Sequence, residues 1–84
     1  MTYNLEVSRP AEKHIRRLPA DLLPKIIQRI LQLRDDPRPP GVKKLVGDFG
    51  WRIRVGDWRI IYEIDDDRQL ITVIAVKPRQ SAYR

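Results

Sequence analysis

An α+β fold is predicted, with a two-helix hairpin packed on a small, mainly antiparallel four-stranded sheet in the order β-α-α-β-β-β. Three observations predict it. Residues 2–7 and 51–62 alternate apolar and polar side chains with a period of two. Residues from about 9 to 33 carry apolar positions at helical spacing, interrupted at Pro19-Ala20-Asp21. Residues 70–76 form an unbroken apolar run rich in β-branched side chains, as in a strand covered on both faces. The 84 residues make one small domain, 1–84, with 42% apolar content for a single thin core.

The first strand follows from Tyr3, Leu5 and Val7 alternating with Asn4 and Glu6. Ser8 is a suitable N-cap, and Pro10 falls in the first helical turn, where its missing N–H costs little. That helix runs to about Leu18, with Ala11, Ile15 and Leu18 along one face. Arg9, Lys13, Arg16 and Arg17 lie elsewhere on it. Asp21 is expected to cap a second helix with Pro24 in its first turn. Leu23, Ile26, Ile27, Ile30 and Leu31 give that helix an apolar stripe directed at the sheet. Asp35-Asp36-Pro37-Arg38-Pro39-Pro40-Gly41 ends it in a stiff loop.

Residues 51–62 carry the strongest signal. Trp51, Ile53 and Val55 share one parity and Arg52 and Arg54 the other. The alternation continues past Gly56-Asp57 as Trp58, Ile60 and Tyr62 around Arg59, which is a β-hairpin. Its expected pairs are Val55 with Trp58, Arg54 with Arg59, Ile53 with Ile60, Arg52 with Ile61 and Trp51 with Tyr62. One face is aromatic and β-branched. The other sets Arg54 directly against Arg59, an arrangement that destabilises a ladder unless an anion sits between the charges. If residues 65–69 form a five-residue turn, Ala75 pairs with Arg59, and Arg79 shares the parity of the basic face. A four-residue turn reverses that parity.

Composition narrows the function. Seventeen basic residues against eleven acidic ones give a net charge of +6, which favours nucleic acid or an acidic protein as partner. Twelve of the seventeen are Arg, the side chain suited to bidentate phosphate contacts. With no Cys there is neither a disulfide framework nor a thiolate metal site. No apolar run reaches membrane-spanning length, and Met-Thr-Tyr-Asn-Leu-Glu does not read as a signal peptide, so a soluble, cytoplasmic protein is expected. The run Asp65-Asp66-Asp67 lacks the spacing and distal Glu of a calcium loop. No metal site and no cofactor is expected. Ser8 and Ser81 have no His–carboxylate set, and the one histidine, His14, belongs to the first helix as a surface residue.

What remains is Arg52, Arg54, Arg59, Arg79 and Tyr83, with Lys44 and Glu63 nearby. Such a set suits RNA cleavage by the RNA's own 2′-hydroxyl, with guanidinium groups neutralising charge that builds on the phosphorane. It also suits a basic sheet face that binds nucleic acid or protein without chemistry, and from residue types alone that plainer reading comes first.

The element order, together with Lys44-Leu45, Trp51-Arg-Ile-Arg-Val, Asp57-Trp-Arg-Ile-Ile-Tyr-Glu-Ile64 and the ending Arg79-x-x-x-Tyr83-Arg84, resembles the RelE family of toxins from type II toxin–antitoxin modules. The resemblance covers nearly the whole chain. It implies a ribosome-dependent endoribonuclease (an mRNA interferase) that cuts mRNA in the A site without a metal, inhibiting translation. The implied catalytic set is Arg52, Arg54, Arg59, Arg79 and Tyr83, with Lys43, Lys44 and Lys77 binding RNA. Arg59 and Arg79 would stabilise the scissile phosphate, and Tyr83 would stack on or orient the nucleotide. The implied partners are the ribosome with its mRNA, and a cognate acidic antitoxin. The antitoxin would form a hetero-oligomer with the toxin and carry it to operator DNA; no membrane is implied. Two departures stand out: Lys77-Pro78 where members often carry Gly-His or Gly-Lys, and Arg52 and Arg54 where some use Lys. Arginine is a poor general base, so the base is unassigned; Glu63 has the right parity, though a salt bridge to Arg52 is the simpler expectation. Alternative readings are a ParE-like gyrase-inhibiting toxin and a non-catalytic antitoxin-binding co-repressor.

Overall fold

The computed structural model of the protein describes residues 2–44 and 50–78. Its elements are β1 (Asn4–Val7), α1 (Arg9–Arg16), α2 (Leu23–Leu33), β2 (Lys43–Lys44), β3 (Trp51–Val55), β4 (Trp58–Asp65) and β5 (Leu70–Pro78). The strands form one five-stranded sheet in the order β1-β5-β4-β3-β2. Only β1 and β5 run parallel; the other pairings are antiparallel. The α+β class and element order agree with the sequence reading, with one strand more than the four expected. That strand, β2, is two residues long and too short for alternation to announce it.

The core lies between one sheet face and the two helices. Ile53, Ile60, Tyr62, Ile71, Val73 and Val76 from the sheet meet Ala11, Leu18, Ile26, Ile30 and Leu33 from the helical side. All five expected hairpin pairs between β3 and β4 are present. Gly56 sits at φ +59° while Asp57 keeps a negative φ, the pattern of a two-residue hairpin turn that takes Gly first.

The β4–β5 connection holds a surprise in phase. The ladder closes at Asp65 with Leu70, so the turn is four residues long rather than five. That turn alone would reverse the parity of the rest of β5. A bulge then intervenes: Ile61 pairs with Ala75 while Tyr62 pairs with Val73, leaving Ile74 as an extra residue. Beyond it the original parity returns, and Arg59 pairs with Lys77 rather than Ala75.

Helix α1 is capped as expected, Ser8 Oγ accepting from the Ala11 N–H at 3.3 Å. It also seals an edge. Because β1 ends at Val7, among the described residues the flank of β5 past Val73 has no strand beside it on that side. Ser8 N–H donates to the Val73 carbonyl (2.9 Å), Ser8 Oγ donates to the Ile74 carbonyl (3.0 Å), and Val76 N–H donates to His14 Nδ1 (3.2 Å). His14 is thus half-buried and structural, not simply a surface residue.

Helix α2 departs from expectation twice. Leu22, with no side-chain capping bond, precedes the helix, so Asp21 does not cap it. Ile26, Ile30 and Leu33 are buried in the core and Leu23 packs against it, while Ile27 and Leu31 are 39% and 47% exposed. The apolar stripe is wider than the sheet contact can cover. The loop after α2 is pinned to the sheet instead. Tyr62 Oη donates to the Pro37 carbonyl at 2.7 Å, and the Arg38 guanidinium lies 5.1 Å from the Trp51 ring centroid. Arg38 also pairs with Asp66 at 2.8 Å, and Tyr3 Oη donates to the same carboxylate at 2.7 Å.

Candidate nucleic-acid interface

Cross-strand partners in a sheet share a face, so the register shows which cations meet. Arg54, Arg59 and Lys77 form one row across β3, β4 and β5. The next row is Lys43, Arg52, Ile61 and Ala75, across β2 to β5. Both rows lie on the face away from the helices. The bulge at Ile74 is what brings Lys77 opposite Arg59; without it Lys77 would face the core.

Arg59 is the centre of this surface. It is 6% exposed, flanked by Arg54 on one side and Lys77 on the other. A guanidinium cannot shed its proton at ordinary pH, and burying it beside like charges is costly. Arg54 is exposed, its Nε donating to the Gly56 carbonyl at 2.9 Å.

A cleft of about 390 Å³ opens at the β3 side of these rows, lined by Arg29, Pro40, Gly41, Lys43, Arg52, Ile53, Arg54 and Arg59. Five of the eight are cations and none is a carboxylate. A larger hollow, about 540 Å³, lies at the far end around Glu63, Asp65, Asp66 and Asp67. Size does not choose between them; charge does, because only the first can hold a polyanion.

Of the residues expected from sequence, Arg52, Arg54, Arg59, Lys43 and Lys77 come together on one face. Lys44 does not: it pairs with Trp51, and its ammonium lies 5.8 Å from that ring centroid, on the helix side of the sheet. The expected salt bridge from Glu63 to Arg52 is not among the ion pairs of the described residues. Glu63 is exposed and pairs across the ladder with Thr72, while Arg52 pairs with Ile61. Arg79 and Tyr83 lie outside the described residues. Arg29 was missed. It reads as one polar position among several on α2, and only the packing of α2 beside β3 brings it to the cleft.

Two titrating groups border the site. Burial, then Lys77 and Arg17, push the His14 imidazole below its ordinary range, in keeping with a neutral ring accepting the Val76 N–H. Burial pushes the Tyr62 phenol up to about 12, keeping its hydroxyl a donor to Pro37.

Known proteins resemble this chain over nearly its whole length. The sequence profile described as ParE toxin of type II toxin–antitoxin system, parDE, matches residues 5–83. A Methanocaldococcus jannaschii protein provisionally named toxin RelE1 is 30% identical over 88 residues, spanning 100% of this chain and 98% of that protein. A chain of the archaeal RelE–RelB complex from Pyrococcus horikoshii superposes with a TM-score of 0.82 at 28% identity, covering 94% of this chain and 97% of that one. The RelBE2 toxin–antitoxin complex of Mycobacterium tuberculosis gives 0.84 at 22% identity, covering 94% and 100%, a likeness of fold.

Proposed function

We propose that this chain, which belongs to the RelE/ParE superfamily of toxins from type II toxin–antitoxin modules, is a ribosome-dependent endoribonuclease that cuts mRNA in the A site. The observation that carries the proposal is the row Arg54, Arg59 and Lys77, with Arg59 6% exposed at its middle. A scissile phosphate seated on that row gains charge as the 2′-hydroxyl attacks it. Donors fixed before the reaction stabilise that charge without reorganising. In this reading Arg54 and Arg59 bind the phosphorane oxygens and Arg52 holds the adjoining backbone. Arg79 joins Arg59 on the phosphate and Tyr83 stacks on the nucleotide, as the family resemblance implies. Lys43 and Lys77 add phosphate contacts. The 2′-oxygen–phosphorus bond forms, the phosphorus–5′-oxygen bond breaks, and one proton passes from the 2′-hydroxyl to the departing 5′-oxygen. No arginine serves as base for that transfer, so the acceptor in this reading is a group other than the arginines of the row. In this reading the toxin itself contributes no metal to the chemistry.

The test uses translating ribosomes programmed with a defined message. Wild-type protein yields A-site cuts, and an Arg59→Ala/Arg79→Ala double variant yields none. Intact message at stoichiometric toxin would sink the reading.

The partner in this proposal is an acidic antitoxin that covers the basic face and holds the toxin in a hetero-oligomer, bound to operator DNA through the antitoxin. The structural relatives named as RelE–RelB and RelBE2 complexes support such a partner. A second reading, a ParE-like poison of DNA gyrase, has in its favour the description of the matching profile. Accumulation of gyrase cleavage complexes, with message left intact, would establish it over the first.

A further inference from the structure

We infer that the bound RNA continues past the arginine row, over the exposed edge of β3, to a phosphate site built by Arg29 of α2 and Lys43 of β2. The inference rests on the ribonuclease reading and adds to it the direction of the strand and a substrate-binding residue outside the sheet. β2 is only two residues long, so among the described residues β3 has no neighbouring strand on that edge beside Ile53 to Val55. The cleft passes through that gap, joining Arg52 and Arg59 on one side to Arg29 on the other. Its rim at Gly41 stays low: φ is +91°, and a Cβ added there would meet nothing within 4 Å. Arg29 is half-buried, and its Nη1 donates to Gln32 Oε1 at 2.9 Å, which holds the guanidinium on its helix. It makes no ion pair among the described residues. A run of cations crossing a strand edge, with apolar Ile53 among the lining residues, suits a single strand whose phosphates are gripped in succession.

The path predicts a direction. Arg54, Arg59 and Lys77 hold the scissile phosphate, Arg52 and Lys43 sit one row along, and Arg29 takes the outermost phosphate. Loss of Arg29 should therefore weaken binding while leaving the chemical step intact.

The experiment measures fluorescence anisotropy of a short, labelled 2′-O-methyl oligoribonucleotide, which cannot be cleaved, across a salt series. Arg29→Gln should raise Kd about three- to tenfold and reduce the log Kd–log salt slope by about 0.7, the loss of one phosphate contact. Arg29→Lys should restore the slope. Lys43→Gln should act like Arg29→Gln, whereas Lys25→Gln, elsewhere on α2, should change neither quantity. If Arg29→Gln binds as wild type does, or Lys25→Gln weakens binding equally, the inference is overturned. Should Arg29→Gln fail to fold, Lys43→Gln and Arg29→Lys carry the comparison. On programmed ribosomes, Arg29→Gln should raise the half-maximal toxin concentration with an unchanged plateau rate, whereas Arg59→Ala lowers the plateau. A variant that loses affinity for an acidic antitoxin peptide but not for RNA would assign the cleft to protein and overturn the inference. If wild type binds RNA with the predicted slopes but cuts nothing, the RNA path stands and the ribonuclease reading alone fails.

Discussion

Removing one oxygen from Tyr62 should loosen the loop that shapes the cleft. Tyr62 is fully buried, and its hydroxyl donates to the Pro37 carbonyl at 2.7 Å. Tyr62→Phe keeps the ring, so packing survives and the loss is confined to one hydrogen bond and a carbonyl left without its donor. Such a loss costs about 1–3 kcal/mol. Taking about 1.5 kcal/mol, a domain of this size should lose roughly 6–12 °C in Tm. The effect should also be local. Pro37 begins the stretch leading through Gly41 to Lys43, so amide exchange at Arg38 and Val42 should rise more than exchange in β4 or β5. Above pH 10 a second signature appears. The folded phenol titrates near 12, above its ordinary value of 10.0. The stability it contributes is therefore fully present below about pH 10 and lost as pH rises through the folded pKa. Tyr62→Phe should remove its share of this alkaline loss; Tyr3, also shifted upward by its hydrogen bond to Asp66, keeps its own. Thermal melts from pH 7 to 11 with exchange mass spectrometry make the test. An unchanged Tm, or a uniform rise in exchange, would refute the proposed anchoring.

Four further outcomes are expected. Ile60→Ala, at a site with no solvent exposure, should destabilise by about 2–5 kcal/mol in urea titrations. Gly56→Ala should cost about 1 kcal/mol through backbone conformation alone, since a Cβ there meets nothing. The folded His14 titrates below its ordinary 6.5, so the stability it contributes should be full above about pH 6.5 and fall as pH drops through the folded pKa; His14→Ala should flatten that limb in pH-dependent melts. Arg38→Ala should lower Tm by only a few degrees, because its pair with Asp66 is exposed on both sides and its contact with the Trp51 ring is worth about 0.5–1 kcal/mol.

The hairpin was fully legible in the sequence because alternation on both sides of Gly56-Asp57 is local, and its five pairs needed nothing from elsewhere. Ser8 was readable as a cap for the same reason. What escaped the sequence is what distant segments decide. The bulge at Ile74 carries no Gly or Pro to mark it, so the turn length alone pointed to the wrong parity for β5. β2 exists only because Lys43 and Lys44 fall beside β3. Ile27 and Leu31 looked like core because helical period shows which positions are apolar, not how wide a sheet they meet. Arg29 became visible only once α2 was placed beside β3. On the candidate site, the basic face was legible as a pattern, while the membership of Lys77 and the departure of Lys44 followed from register.

The position of β5 also bears on the order in which the molecule can fold. It is the last strand among the described residues yet lies inside the sheet, between β4 and the parallel strand β1. Among the described residues β1 pairs with β5 alone, Asn4 lying beside Leu70, so both helices and the β3–β4 hairpin come between the two partners in sequence. Long-range parallel pairing of this kind closes late and slowly. Arg54, Arg59 and Lys77 sit on the sequence-local antiparallel strands β3, β4 and β5, so the basic face can form before that slow parallel closure with β1.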